Sequence, residues 1–362
     1  MPELNLNYVM MLIVPLPSDQ KQTGWFMKIL TVSDIQRLID IVGIESFFSR
    51  LLIALKQDFA RWSAFYKSAR HATHYAHGVI ELMPCSDDSL YAFKYVNGHP
   101  GNTAEGKLSV IAIGQLSEVA SGYPLMICEM TLLTAFRTAA TGVLAASYLA
   151  RPDSDVLAVI GTGAQSEFQV LGFNGVFPLR QIRFFDLDIG AMRKFARNLL
   201  AYPFELVPCR SIKEAVRDAD IIVTATAAKK RQSLFALEDV APGAHIQAVG
   251  GDCPGKTELS HVLLSAAKLV VEYMPQALVE GEVQQCDASH VHAELWELVG
   301  GHKPGRENTQ EITVFDSVGF ALEDFSVLRL VYELACEHHL GTDMPLIPEL
   351  DDPKDLFGLL SA

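Results

Sequence analysis

The stretch that decides the fold is "VLAVIGTGAQSEFQ", residues 156–169. A short apolar run ends there in a Gly-x-Gly turn, and a helix-forming segment follows directly. Gly161 permits the tight turn, and Gly163 lets the backbone approach a pyrophosphate held at the N-terminus of the helix. Ser166 replaces the third glycine of the usual pattern and is small enough for close packing of helix against strand. The stretch therefore predicts a dinucleotide-binding strand-turn-helix unit.

The next apolar run supports this prediction. "IRFFD" ends at Asp186, twenty positions after Ser166. An acid at this place accepts hydrogen bonds from the ribose hydroxyls of a dinucleotide. Because a carboxylate there would also repel the 2′-phosphate of NADP, we expect NAD as the cofactor.

Short runs rich in β-branched residues continue this pattern from residue 155 onward, separated mostly by helical segments. Such alternation is typical of a parallel sheet covered by helices on both faces. We therefore expect a Rossmann-type doubly wound sheet. The runs are "DVLAVI", "QIRFFD", "FELV", "DIIVTAT", "HIQAVG", "KLVVEY" and "ITVFDS".

The chain before residue 155 follows a different pattern. Ser33 and Gln36 have the spacing of a capping box, at the start of two helical stretches that run to about residue 63. From Gly78, strand-like runs flank turn residues, which indicates a sheet with hairpins. A long helix then begins near Thr131 and ends before Pro152, which cannot continue it.

These patterns predict an α/β protein with two domains. Residues 138–320 should form the NAD-binding domain, and residues 27–137 a discontinuous α+β domain completed by the helix-containing segment 321–362. We expect residues 1–26 to be an extension outside the main fold. Their apolar run "YVMMLIVPLP" lacks the basic flank and cleavage site of an export signal and is too short to span a membrane.

Composition excludes several classes of function. The formal net charge is −14 and no Lys/Arg-rich run is present, which argues against a nucleic-acid partner. The six cysteines have no CxxC spacing and fit reduced thiols in a cytoplasmic enzyme. Since no acid or thiol spacing completes a site with the histidines, we expect no metal. The histidines considered are His71, His74, His77 and His99.

Further motifs resemble the ornithine cyclodeaminase and μ-crystallin family over nearly the whole chain, from about Met27 to the last helix. The resemblance implies an enzyme that converts L-ornithine to L-proline and ammonia, with NAD both taking and returning a hydride. It also implies a homodimer formed through the N-terminal domain, which would bind the amino-acid substrate. The motifs are "KSARHATH", "GVIELMP", "FKYVNGHPGNT", "EMTLLTAFRTAATG", "IGTGAQSEFQ", "VGGDCPGKTEL", "VEGEVQQ" and "FDSVGFALEDF".

The same resemblance implies roles for individual residues. Arg70, Lys94 and Arg137 stand where the family binds the substrate carboxylate. Asp252 stands where the family places the acid/base that acts on the substrate amines. Contacts with NAD are implied at Ser109, Arg137, Ala164, Gln165, Asp186, Thr226, Val249, Gly250, Gly251, Asp252, Lys256 and Ser317, beside the two turn glycines Gly161 and Gly163.

The residues taken alone leave alternatives open. Arg137, in the apolar segment "LLTAFRTAATG", either faces solvent or needs a buried partner. The alternation of "YAFKYV" favours an edge-strand lysine at Lys94, and only the family match favours a site residue. Asp252 would be the N-cap of a helix that begins near Lys256 or Thr257.

Four more side chains near these motifs need an interpretation. Glu81, an acid among apolar strand residues, is either an edge residue or a second substrate-facing group with a perturbed pKa. Glu280 and Glu282 are interpreted as surface or capping groups. Cys253 is expected to be chemically silent, because the implied reaction has no covalent step that requires an activated thiol.

Other functions share this sequence pattern. The same machinery acting on L-lysine would give pipecolate, and pocket length would decide between the two substrates. A second class is an NAD-dependent amino-acid dehydrogenase or ketimine reductase, which releases the changed cofactor. A third is a ligand-binding protein of the crystallin type, against which the presence of Lys94, Arg137 and Asp252 argues.

Overall fold

The computed structural model describes residues 25–228 and 230–360. The chain divides into a unit of Lys28–Thr342 and a second unit, whose described residues are 25–27 and 343–360. Of the expected extension, only residues 25 and 26 lie among the described residues. The extension and the domain limits at residues 137 and 320 therefore stay predictions.

The described residues contain sixteen strands. In chain order they are β1 (Met27–Leu30), β2 (Tyr66–Lys67), β3 (His71–Tyr75), β4 (Gly78–Ser86), β5 (Leu90–Gly98), β6 (Ala112–Glu118), β7 (Pro124–Glu129), β8 (Val156–Ile160), β9 (Gln181–Phe185), β10 (Glu205–Pro208), β11 (Ile221–Thr224), β12 (His245–Ala248), β13 (Lys268–Val271), β14 (Val291–Glu294), β15 (Thr313–Asp316) and β16 (Thr342–Met344).

Ten α-helices lie between these strands in the described part of the chain. They are α1 (Val32–Val42), α2 (Ile44–Ala60), α3 (Thr131–Leu149), α4 (Ser166–Asn174), α5 (Ile189–Leu199), α6 (Ile212–Val216), α7 (His261–Ala266), α8 (Met274–Ala277), α9 (Leu295–Val299) and α10 (Ala321–Glu337).

The second half of the sequence forms a wholly parallel sheet in the order β10-β9-β8-β11-β12-β15-β13-β14. Apolar clusters cover the sheet, since alternate residues of its central strands belong to two separate cores. This confirms the expected doubly wound Rossmann-type fold. The seven predicted strands all form, and β14 is an eighth that the sequence pattern did not reveal.

The first half forms a sheet in the order β1-β7-β6-β5-β4-β2, with β3 also paired to β4. The hairpin of β4 and β5 is the one that the sequence predicts. Helix α10 packs against β4, β5 and β6 and covers one face of this sheet. On the opposite face Leu82, Tyr95 and Ile113 lie side by side on neighbouring strands, and Leu82 and Ile113 are exposed.

Two predicted helix starts are wrong. The capping box is formed by Thr31 and Asp34, not by Ser33 and Gln36, because β1 leads directly into Thr31, whose extended backbone leaves its side chain free to cap. No helix begins near Lys256 in the described chain. Instead α7 begins at His261 with Ser260 as its N-cap, because the segment at residue 257 pairs with residue 231 as an isolated bridge.

Helix α3 connects the two sheets and forms part of the core. By length and composition alone it could cross a membrane, but 83% of its apolar window is buried inside the protein. It packs against α2, α4 and α10 and against the ends of β12 and β15. The polar side chains in the middle of this helix, Thr134, Arg137, Thr138 and Thr141, are therefore buried.

Candidate active site

Two of the three predicted carboxylate-binding cations share one acid at the start of α10. Lys94 Nζ lies 2.8 Å from Asp324 Oδ1, and Arg137 Nε lies 3.1 Å from the same oxygen. Arg137 Nη1 also donates to Glu323 at 2.5 Å. Lys94 is 1% exposed, since β5 lies between β4 and β6 and the side chain points towards α10. The edge-strand interpretation of Lys94 is therefore wrong, as is the solvent-facing one of Arg137.

Burial and neighbouring charges shift the pKa values of Lys94 and Arg137. Burial lowers the pKa of Lys94 to about 8, with the positive charge of Arg137 acting in the same direction and Asp324 opposing both. Burial works against the charge of Arg137 as well, but Asp324 and Glu323 outweigh it and raise the pKa of the guanidinium. Among the described residues, Asp324 is the one hydrogen-bond acceptor for Lys94, so its ammonium keeps donors to spare.

Arg70 reaches the same region from the segment between β2 and β3. Its Nη2 donates to the carbonyls of Val318 and Gly319 at 2.8 and 2.7 Å, and its Nη1 donates to Glu81 at 3.0 Å. Gly319 has φ +85°, and a Cβ there would lie 2.5 Å from Arg137 Nη1. Only glycine therefore fits between the two guanidinium groups.

Two acids flank Arg70, and both are buried. Glu81 is 6% exposed and Glu280 is 3% exposed, with Glu280 Oε2 3.2 Å from Arg70 Nε. The interpretation of Glu280 and Glu282 as surface groups is wrong, because the turn that contains them packs against the end of β15. Glu81 points to the inner face of its sheet, where it lies within the site.

A further acid joins this cluster from the end of β13. Glu272 accepts hydrogen bonds from the Ser317 hydroxyl at 2.8 Å and from the Gly319 backbone N–H at 2.6 Å. Burial and the neighbouring Glu323 raise the pKa of Glu272 well above its usual range. Through these two hydrogen bonds Glu272 fixes the loop between β15 and α10.

Asp252 lies in the loop after β12 and is the most exposed acid of the site. Its side chain is 57% exposed, and its Oδ1 accepts a hydrogen bond from Lys256 Nζ at 3.0 Å. Lys256 is buried, so the loop bends back on itself here instead of starting a helix. A cleft of about 280 Å³ opens beside the loop, lined by Cys253 to Lys256 and by the β3–β4 hairpin. Asp252 therefore directly precedes, in the chain, the residues that line this cleft.

Three buried carboxyls, those of Glu258, Glu282 and Asp316, stabilise this loop. Glu282 accepts the backbone N–H groups of Glu258 and Leu259 at 2.7 and 2.9 Å, and Glu258 accepts that of Thr226 at 2.8 Å. Burial raises the pKa of Glu282 to about 8 and that of Asp316 to about 7. The carboxyl of Glu258 fills the space that a Cβ at residue 250 would need, which explains the glycine there.

The nucleotide end has the geometry that the opening stretch predicts. Gly161 has φ +94°, and a Cβ on it would lie 2.5 Å from the carbonyl oxygen of Ala225. Asp186 closes the turn by accepting the backbone N–H of Thr162 at 2.6 Å. At Gly163, by contrast, a Cβ would meet no atom within 4 Å, so the backbone is open on this side.

These features fit a dinucleotide. Helix α4 begins at Ser166 without a side-chain cap, and the buried Oε1 of Gln165 has no hydrogen-bond partner among the described residues. The free backbone N–H groups of an uncapped helix N-terminus are typical of a phosphate site, whereas the Gln165 Oε1 is an acceptor suited to a ligand N–H or O–H group. Thr226, Val249 and Ser317 follow the ends of β11, β12 and β15, the sheet edge where doubly wound folds bind ligands. Ser109 lies in the segment before β6, and its carbonyl accepts the N–H of His99 at 2.7 Å.

Comparison with known proteins agrees with this arrangement. The model of the ornithine cyclodeaminase/mu-crystallin family matches residues 32–339. The chain is 49% identical over 331 residues to the ornithine cyclodeaminase of Agrobacterium tumefaciens strain Ach5, a match that covers 91% of this chain and 93% of the relative.

Solved structures show the same fold. An archaeal alanine dehydrogenase dimer with bound NAD superposes with a TM-score of 0.83 at 31% identity, covering 89% of this chain and all of the other. A lysine cyclodeaminase, studied for its recognition of L-lysine, L-ornithine and L-2,4-diaminobutyric acid, superposes with a TM-score of 0.87 at 29% identity. That match covers 92% of this chain and all of the other.

Proposed function

Because the chain belongs to the ornithine cyclodeaminase/mu-crystallin family, we propose that it converts L-ornithine to L-proline and ammonia with the help of bound NAD. The observation that carries this proposal is the cluster of three buried cations, Arg70, Lys94 and Arg137. Nε of both arginines lies beside a carboxylate, at 3.2 Å for Arg70 and 3.1 Å for Arg137, but has no hydrogen-bond partner among the described residues. A carboxylate provides the missing acceptors, and the planar guanidinium groups suit its two oxygens.

The residues that would hold NAD lie along one edge of the parallel sheet. Gly161, Gly163, Ala164 and Gln165 would hold the pyrophosphate, and Asp186 the adenosine ribose. The segment Val249–Asp252 would approach the nicotinamide end, with Thr226, Lys256 and Ser317 beside it and Ser109 and Arg137 contributing from the first half of the chain. When bound, NAD supplies a hydride acceptor for the substrate Cα and later returns the hydride to the cyclic imine.

Asp252 is the residue that we propose to move protons on the substrate amines. Its carboxylate is exposed, and the buried Lys256 ammonium holds its Oδ1 in place at 3.0 Å. A general base needs both access to the substrate and a fixed position. The three cations would hold the substrate carboxylate, so that the amines are presented to this acid.

Product analysis tests the proposal directly. The purified protein is incubated with NAD and either L-ornithine or L-lysine, while ammonia, L-proline, L-pipecolate and NADH absorbance are followed. We expect equal amounts of L-proline and ammonia with no net NADH. Accumulation of NADH in step with substrate loss would instead assign a dehydrogenase, and faster formation of pipecolate would assign L-lysine as the substrate.

The Asp252→Asn variant tests the role of this acid. We expect kcat to fall by about 100- to 10,000-fold, the range for loss of a general acid/base. Because the Asp252 side chain is 57% exposed and its one printed partner is Lys256, thermal stability should change little. Full turnover in this variant would remove Asp252 from the mechanism.

We also propose a cytoplasmic homodimer that takes part in proline formation. The outer face of the first sheet supports the dimer, because Leu82 and Ile113 flank Tyr95 there and expose 45% and 52% of their surface. Contiguous apolar residues of this kind are typical of a surface between subunits. Buried free thiols at Cys85, Cys128 and Cys209 are consistent with a reducing compartment.

A further inference from the structure

The loop that carries Asp252 continues into a tight turn over residues 253–256, with the sequence Cys-Pro-Gly-Lys. The backbone N–H of Lys256 donates to the Cys253 carbonyl at 3.2 Å, and Gly255 has φ +80°. Proline at the second position and a left-handed glycine at the third are typical of a type II β-turn. Lys256 ends this turn and also binds Asp252 Oδ1, so the orientation of the turn decides where the carboxylate is held.

One side chain from a distant segment holds this turn. Gln284 lies in the short 3-10 helix Glu282–Gln285, and its Oε1 accepts the Gly255 backbone N–H at 2.6 Å. Its Nε2 donates to the Lys256 carbonyl at 2.8 Å and to the Gly281 carbonyl at 2.7 Å. The oxygen and both hydrogens of the amide are therefore engaged, and together they tie the turn to the 3-10 helix.

The 3-10 helix is itself anchored to the parallel sheet. The backbone N–H of Val283 donates to Asp316 Oδ2, at the end of β15, at 3.0 Å. Glu282 accepts the backbone N–H groups of Glu258 and Leu259, which follow the turn directly. All five of these residues are buried. Gln284 therefore projects from a fixed base onto a loop whose acid is exposed.

The contacts of Gln284 do not extend to the groups that would hold the substrate carboxylate. Its hydrogen-bond partners among the described residues are backbone groups of the turn and of Gly281. Arg70, Lys94 and Arg137 are instead held by acids and by the carbonyls before α10. A change at Gln284 should therefore act on the position of Asp252 and leave carboxylate binding intact.

We propose that Gln284 is a positioning residue for the acid Asp252, an assignment that rests on the proposed function. Gln284 holds the turn, the turn places the Lys256 ammonium, and the ammonium holds the Asp252 carboxylate within reach of the substrate amines. An acid/base must lie within hydrogen-bond distance of the proton that it transfers. A displacement of about 1 Å can lower a rate by about 100-fold.

Gln284→Met tests this assignment, because it keeps a side chain of similar length and removes the amide. We expect kcat to fall by about 10- to 100-fold, with KM for L-ornithine within about threefold of the native value. L-Norvaline has the carboxylate and α-ammonium of the substrate but no side-chain amine. Its affinity for the NADH-loaded protein, measured by cofactor fluorescence, should also stay within about threefold.

Gln285→Met is the matched control. Gln285 is the next residue of the same 3-10 helix, but its Nε2 donates to the Leu259 carbonyl at 3.0 Å and to Glu282 at 3.2 Å, beyond the turn. Both methionine variants should lower the melting temperature by similar amounts, whereas kcat should change by less than about twofold in Gln285→Met. An equal loss of kcat in the two variants would overturn the assignment.

A double variant separates positioning from a general loss of structure. Since Gln284 acts through Asp252, adding Gln284→Met to Asp252→Asn should lower kcat by less than about twofold further. Losses that multiply in the double variant would overturn the assignment. Gln284→Glu, whose carboxylate can accept the Gly255 N–H but cannot donate to the Lys256 carbonyl, should show the same selective loss of kcat and serves if the methionine variant does not fold.

Hydrogen exchange gives a readout that does not need turnover. The Gly255 amide, followed by mass spectrometry of peptides that span residues 252–257, should exchange at least about tenfold faster in Gln284→Met and at the native rate in Gln285→Met. Unchanged exchange in Gln284→Met would overturn the assignment. If the native protein formed no proline, the proposed function would fail, and the exchange rates would still decide whether Gln284 holds the turn.

Discussion

The nucleotide end and the substrate end of the site are built in opposite ways. At the nucleotide end, the turn at Gly161 is closed by a hydrogen bond between Thr162 and Asp186, only 24 positions apart. At the substrate end, Lys94 meets Asp324 across 230 positions. One end is a local unit of strand, turn and helix, and the other exists only when α10 has packed onto the first sheet.

This difference predicts different effects of mutation at the two ends of the site. A polar group at the nucleotide end can change without unbalancing a buried charge, because its partners are backbone groups at an open sheet edge. At the substrate end, each cation is also the ion-pair partner of a buried acid, so stability and binding depend on the same side chains. Mutations should therefore have larger and more mixed effects at the substrate end.

The largest effect is expected for Asp324→Asn. This change leaves Lys94 buried without its acid and removes one partner of Arg137. Breaking a buried ion pair typically costs about 3–5 kcal/mol, so the free energy of unfolding in urea should fall by that amount. KM for L-ornithine should rise, because the two cations lose their fixed positions, while NAD affinity should stay within about threefold.

Asp58→Asn provides the comparison for this prediction. Asp58 is also buried against α10, where it contacts Arg329 at 3.0 Å and Ser326 at 2.7 Å, and it makes no ion pair with the substrate-binding cations. The Asp58→Asn variant should therefore lower the free energy of unfolding without changing KM for L-ornithine. If Asp324→Asn also changed stability alone, the cations would not depend on Asp324 for their function.

The same contrast explains what the sequence could predict. Gly161, Gly163 and Asp186 lie in one short stretch with a fixed spacing, so pattern alone indicated a dinucleotide site and its cofactor. The strands of the parallel sheet were also predictable, because buried parallel strands are continuous apolar runs. The strand β14 was missed because "VHAE" is short and half polar.

At the substrate end, the sequence pattern alone did not identify the site residues. Lys94 and Arg137 were identified only through a family resemblance, and their acids Glu323 and Asp324 were not identified at all. A signal was present, since "GFALEDFSVL" places two acids in an otherwise apolar helix, where charges require buried partners. Which cations those partners are depends on contacts between distant segments, and alternation within one strand does not reveal them.

A smaller and more local effect is expected for Gly161→Ala at the nucleotide end. Alanine at φ +94° is strained by about 1–3 kcal/mol, and its Cβ would press against the carbonyl of Ala225. We expect a lower melting temperature and weaker NAD binding, measured by calorimetric titration, whereas L-norvaline binding to the NADH-saturated protein should change little.

The Gly163→Ala variant separates an effect on NAD binding from an effect on the stability of the turn. The space around a Cβ at this position is open in the protein, so the melting temperature should not change. NAD should nevertheless bind more weakly, because the methyl group would occupy the side that the pyrophosphate approaches. Unchanged NAD affinity in Gly163→Ala would show that the dinucleotide does not follow this turn.

The smallest expected effect is a pH dependence that belongs to the substrate end alone. Because burial and Arg137 lower the pKa of Lys94 to about 8, Lys94 loses its proton as the pH rises above that value, and the carboxylate site loses one positive charge. KM for L-ornithine should therefore rise above pH 8, by at most about tenfold per pH unit, while NAD affinity stays level. In Lys94→Arg the cation stays charged over this range, so the rise should disappear even if the overall KM is higher. A rise that persists unchanged in Lys94→Arg would have to come from the substrate amines or from another group, and Lys94 would then be a structural counter-ion of Asp324 and not a carboxylate ligand.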